Sequence, residues 1–136
     1  MHRLITCFLL ILFVVLITPN QISATSNELP ECVVVTHCVR ENYQVKDLEH
    51  AFKKASKIVS ETPRTKIVEQ TNSYIHAEAK TKWRRYTDDL ILKAIPEEGI
   101  IQVRSESRVG IGDNGVNQRR VDDFAYRLMT EPDKSS

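Results

Sequence analysis

The stretch from Asp89 to Arg104, DLILKAIPEEGIIQVR, decides the fold. Asp89 to Ile95 and Ile100 to Arg104 are apolar, strand-like runs separated only by Pro96-Glu97-Glu98-Gly99. A connection that short joins antiparallel neighbours, because a parallel crossover needs a dozen residues or more. Upstream, Tyr74 to Thr81 alternates, with Tyr74, His76 and Glu78 on one face and Ile75, Ala77 and Ala79 on the other. Lys66 to Gln70 is a shorter run, joined to it through the turn residues Thr71-Asn72-Ser73. Together these four runs read as an antiparallel meander. Cys32 to Val35 adds a short strand by its valine propensity.

Helical spacing flanks the meander on both sides. Val45, Leu48, Phe52, Ala55, Ile58 and Val59 recur at three and four, and Thr62-Pro63 ends that pattern. A second helix is expected over about Asn117 to Met129, with Val121, Phe124, Ala125 and Leu128 as its apolar stripe and Asn117 as its cap. Each helix has one face to bury, and an antiparallel sheet offers a matching one. The expected architecture is an α+β two-layer sandwich, a sheet of about four to five strands with two helices packed on one face.

The N-terminus orders itself as a secretory signal. Met1-His2-Arg3 is followed by the apolar run Leu4 to Ile17, then Pro19, then Gln21-Ile22-Ser23-Ala24 with small residues at the expected cleavage site. The apolar run falls short of the roughly 20 residues that span a bilayer. The expected organisation is a signal over 1–24, a flexible lead-in over 25–30, one globular domain over 31–129 and a polar tail over 130–136. Export to the periplasm, the thylakoid lumen or the outside of the cell follows, with membrane contact only through an uncleaved signal. Removing Arg3 with the signal leaves 18 basic residues against 18 acidic ones. That neutral balance argues against nucleic acid as a partner, which would require a basic footprint.

Two cysteines remain in the exported chain, Cys32 and Cys38. An oxidising compartment favours a disulfide between them. Six residues of extended strand span roughly 20 Å, whereas bridged Cα atoms lie about 4.4–6.8 Å apart. A bond therefore requires a tight loop over Val33 to His37, in competition with the strand reading.

Chemistry concentrates in Arg104 to Val121, RSESRVGIGDNGVNQRRV. Gly110, Gly112 and Gly115 permit unusual backbone, and Arg119 and Arg120 fall in the first turn of a helix, where cations oppose the dipole unless an anion offsets them. One reading is an anion pocket of Arg104, Arg108, Arg119 and the amides around Asn117. The competing reading is a structural lattice in which Asp88, Asp89, Glu106, Asp113, Asp122 and Asp123 pair with these arginines and with Arg120. The glycine pattern matches neither a dinucleotide fingerprint nor a phosphate loop, so no cofactor is expected. Asp88, Asp89 and Asp113 lack calcium-loop spacing, and adjacent strand residues face opposite ways, so no metal is expected either. His37, His50 and His76 fall on separate elements, and Trp83-Arg84-Arg85-Tyr86 reads as an exposed turn with a partly buried aromatic.

Several segments carry a resemblance to a known family. They are Glu31-Cys32-Val33, Thr62-Pro63-Arg64, Tyr74-Ile75-His76-Ala77, Thr87-Asp88-Asp89-Leu90, Val103 to Gly110 and Gly115 to Val121. The chain from Glu31 to Leu128 resembles the family called domain of unknown function 1499. That resemblance implies one exported or membrane-attached domain and directs attention to the same arginine–glycine loop, without implying an activity. The function expected is a small binding or assembly module that takes a small anion or a protein partner at Arg104–Arg120. The alternative is a hydrolase using Asp88 or Asp89 with His76 and the arginines.

Overall fold

The computed structural model describes residues 27–110 and 112–132. The expected signal over 1–24 lies outside the described residues. The element order is β1 (Cys38–Gln44), α1 (Leu48–Glu61), β2 (Thr65–Gln70), β3 (Tyr74–Lys80), β4 (Thr87–Ile95), β5 (Ile100–Ser107) and α2 (Val116–Thr130). The five strands form one antiparallel sheet in the order β1-β5-β4-β3-β2. This is the α+β architecture expected, with the meander β2 to β5 intact and β1 added at the free edge of β5.

The valine run is not a strand. Cys32 and Cys38 are disulfide-bonded with Cα atoms 5.5 Å apart. That separation forces the intervening residues into a loop, which His37 N–H closes by donating to the Val34 carbonyl. The first strand starts only at Cys38. The segment before the loop is packed rather than a free lead-in. Leu29 is buried, its N–H donates to Gln102 Oε1, and Glu28 and Glu31 both pair with Arg40.

The helices cover one face of the sheet. The rows that meet them are read from the register: Ile75, Leu92 and Val103, then Ala77, Leu90 and Ser105, then Ala79, Asp88 and Ser107. Phe52, Ala55, Ile58 and Val59 of α1 and Val121, Phe124 and Leu128 of α2 complete the core against the first two rows. Burying each of these large side chains contributes roughly 1.5–3 kcal/mol. Asp47 caps α1 by accepting from His50 N–H at 3.0 Å, which is why the helix opens at Leu48 and not at Val45. The β4–β5 turn needs Gly99 at φ 65°, where any added Cβ would also lie 3.1 Å from Gln44 Nε2.

The third row differs in kind. Ala79, Asp88 and Ser107 are small or polar, so the sheet offers no apolar surface for a helix to cover at that end. This change along the strands is what leaves room for a site.

Candidate ligand-binding cleft

A cleft of about 1070 Å³ opens where the third row ends. Its floor is Asp88, Leu90 and Ser107. One wall is the first half of α2, with Val116, Arg119, Arg120, Asp123 and Phe124. The other wall is Thr62 to Thr65 together with the β3–β4 arm, Lys80 to Arg84 and Tyr86. Val109, Gly110 and Gly112 to Asn114, the described residues of the glycine loop, complete the lining. Register explains why these segments meet. Lys80 pairs with Thr87, Asp88 with Ser107 and Thr65 with Ala79, so three loops leave the sheet at one end.

The floor is built on a buried polar cluster. Arg120 Nη2 donates to Asp88 Oδ2 at 2.8 Å, and its Nη1 donates to Asn117 Oδ1 at 2.7 Å and Ser105 Oγ at 2.9 Å. Ser105 Oγ also donates to Asn117 Oδ1 at 2.6 Å. Asn117 Nδ2 donates to Ser107 Oγ at 2.9 Å and to the His37 carbonyl at 3.0 Å. The side chain of Asn117 thus uses both donors and both acceptor positions within the fold. It ties α2 to β5 and to the start of β1. Asp88 is fully buried, and its Oδ1 has no hydrogen-bond partner among the described residues. A buried, unanswered carboxylate oxygen costs about 1–3 kcal/mol or more.

The amides at the start of α2 are occupied. Asp113 Oδ2 accepts from Asn117 N–H at 2.7 Å, and Oδ1 accepts from Gly115 N–H at 2.8 Å. Burial alone would raise the Asp113 carboxyl, but these two backbone donors hold it below its ordinary value. Gly115, at φ 73°, stands at the N-cap position without a side-chain bond. Asn117 is therefore not the cap: it lies inside the helix, fully buried, and Asp113 performs that task from outside it.

The arginines named from the sequence go to different places. Arg104 lies on the sheet face away from the helices, with Nη1 2.7 Å from Glu106. Arg108 donates to both oxygens of Asp89, at 2.7 and 2.9 Å, and to Glu78 at 2.8 Å. Those bonds hold the Asp89 carboxyl below its ordinary value, against the opposing effect of burial, with a further contribution from His76 Nε2 at 2.6 Å. The same contacts raise Arg108. Arg119 alone of the three reaches the cleft, where it is exposed and donates to the Asn114 carbonyl at 3.0 Å. Asp88 and His76 project from opposite faces of the sheet and do not meet. His76, Asp89, Arg108 and Glu78 form a network that the cleft does not include. Among the described residues, no three His, Cys, Asp or Glu side chains gather as metal ligands.

What the sequence reading underrated is the β3–β4 arm. Trp83 is 86 % exposed, Lys82 Nζ sits 5.4 Å over its ring, and Tyr86 OH accepts from Arg84. The cleft is lined by six cationic side chains, Arg64, Lys80, Lys82, Arg84, Arg119 and Arg120, against the three carboxylates Asp88, Asp113 and Asp123. Only Arg120 has an ion-pair partner among the described residues. The signal was present in Pro63-Arg64 and Lys82-Trp83-Arg84, but two remote segments had to be brought together to reveal it.

No helix among the described residues is long and apolar enough to cross a membrane. No curated protein and no solved structure matches the chain. A model of a protein family of unknown function, DUF1499, matches residues 14–128, and the chain belongs to that family.

Proposed function

We propose that this protein is a small exported ligand-binding module whose seat is the cleft under the glycine loop. The observation that carries the reading is Asp88. Its Oδ2 is fixed by Arg120, while its buried Oδ1 lacks a partner among the described residues and lies in the floor of an open cleft. A ligand with a hydrogen-bond donor at its inner end satisfies that oxygen. An anionic group at its outer end meets Arg119, Arg84 and Lys82, and Leu90, Val116 and Phe124 supply apolar wall between the two. The ligand class is thus a small amphipathic anion carrying a hydroxyl or amine donor. Binding is favoured over hydrolysis because His76 and Asp89 lie on the other face, so no imidazole shares the cleft floor with Asp88.

The test is thermal unfolding against a panel of hydroxylated or aminated carboxylates, phosphates and sulfates. A ligand at one hundred times its Kd adds about 2.7 kcal/mol to stability. The stabilisation should vanish in Arg119→Glu and in Asp88→Asn, and persist in Arg104→Ala. A panel without effect, or a gain that survives both cleft variants, removes the reading.

A further inference from the structure

We propose that the loop end of the domain is a docking face for an anionic lipid bilayer, a role that goes beyond ligand binding in the cleft and does not depend on it. Three of the loops at this end are the disulfide loop, the β3–β4 arm and the glycine loop. The register brings them together, since Cys38 pairs with Glu106, Lys80 with Thr87 and Asp88 with Ser107. The Asp113 N–H donates to the Thr36 carbonyl, which joins the disulfide loop to the glycine loop directly.

Each loop carries an exposed apolar residue. Val33 is 91 % exposed and Val35 78 %, Trp83 crowns the arm, and Val109 is half exposed on the glycine loop. Of the remaining exposed large apolar residues, Val68, Tyr126 and Met129 lie on β2 and α2, and none lies in the turns at the far end of the sheet.

Charge separates along the same axis. The loop end bears the exposed cations Arg64, Lys80, Lys82, Arg84, Arg85 and Arg119, and none of them has a carboxylate within ion-pair distance among the described residues. The far end turns toward acid, with Asp47, Glu49, Glu97 and Glu98 exposed against Lys46 and Lys53, the latter paired with Glu49. Glu31 and Glu61 near the loop end are paired with Arg40 and Arg127, so the uncompensated charge there is positive, and an anionic surface orients the chain loop end first.

Lipid fits this end better than nucleic acid or an acidic protein. Valine at three positions offers nothing to a base or a phosphate, but it partitions below the headgroups. A tryptophan flanked by Lys82 and Arg84 has the composition of a membrane–water interface anchor. The apolar residues are also dispersed on separate loop tips with cations between them. A fluid interface accepts such tips singly, whereas a protein partner would require a complementary surface.

Trp83 is the single tryptophan of the chain. Its emission reports this loop alone, whatever else in the full-length protein touches the bilayer. The full chain is reconstituted into phosphatidylcholine vesicles with or without about one third phosphatidylglycerol, as each cation near an anionic surface favours partition roughly fivefold. In the anionic vesicles Trp83 emission should shift to the blue and be quenched by acyl chains brominated near the headgroup. Lys82→Glu with Arg84→Glu should reduce the quenching to the level of neutral vesicles, and these exposed positions leave the far-ultraviolet dichroism unchanged. Asp88→Asn, which tests the cleft, should leave the quenching intact, so the two readings fail separately. Three outcomes overturn the proposal: no quenching in a chain that floats with anionic vesicles, equal quenching in neutral and anionic vesicles, or a Trp83 shift with a polynucleotide or polyglutamate and none with vesicles.

Discussion

The two faces of the sheet use arginine in opposite ways. On the face away from the helices, Arg40, Arg104 and Arg108 are each matched to carboxylates: Glu28 and Glu31, Glu106, and Asp89 with Glu78. Three arginines there meet five carboxylates, so the lattice is partly wet and acid-rich, and Arg40 Nε and Arg104 Nε are its buried atoms without a hydrogen-bond partner among the described residues. On the helix face, Arg120 holds one oxygen of a fully buried Asp88, the other oxygen has no hydrogen-bond partner among the described residues, and the remaining cations lining the cleft have no ion-pair partner among them. An acid-rich lattice fixes β1 and the loop entrance, whereas cations predominate around the cleft. Arginine density alone therefore does not mark a site. What marks it is arginine whose partners the fold has withheld.

Substitution separates the two faces most sharply at Arg120 and Arg108. Arg120→Ala strands Asp88 and removes donors from Ser105 and Asn117, all buried. Breaking one partner of a buried pair costs about 3–5 kcal/mol. Arg108→Ala removes more ion-pair contacts but from a wet surface, and should change stability little. Urea unfolding of both variants checks this. Equal losses would mean that the faces do not differ in kind.

The fold was largely legible because its elements follow simple periods. β3 alternates cleanly, Pro96 to Gly99 marks the β4–β5 turn, and both helices carry one apolar stripe. β1 was missed for a physical reason. Its sequence, CVRENYQ, carries only Val39 and Tyr43 toward the helices and is otherwise polar, since its other face meets charged neighbours. The valines ahead of it have the propensity of a strand, but the disulfide overrides it. At the site, the residue types were legible and their pairing was not. Asp88 and Asp89 are adjacent in sequence and face opposite ways, so one belongs to Arg120 and the other to Arg108. That choice depends on β5 register and on the path of the loop, which local pattern does not carry.

A smaller effect probes the capped end of the cleft. Asp113→Ala releases Gly115 N–H and Asn117 N–H, and loss of a helix cap costs about 1 kcal/mol. The freed amides and the helix dipole then favour an anion. Inorganic phosphate should therefore restore part of the stability of Asp113→Ala, by an amount that the parent protein does not gain at this position. If phosphate stabilises the two proteins equally, Asp113 is not standing in the place of an anion.

Acid probes both faces with the smallest and most gradual effect. Asp89 is held below its ordinary value of 3.8 by Arg108 first and by His76 as well, and Asp113 by backbone donors that outweigh its burial. A carboxyl depressed in the folded state stabilises it fully above the unfolded value, and that stability is lost as pH falls through the folded value. Both groups therefore withdraw support only below about pH 4. Disarming one face at a time separates the two carboxyls. Arg108→Ala removes the main cause of the Asp89 depression, so Asp89 should titrate at higher pH while Asp113 keeps its place. Carboxyl titration by NMR reads the two separately. If Asp113 moves along with Asp89, the network on the open face and the cap at the cleft are coupled through the glycine loop, and the two faces act as one electrostatic unit.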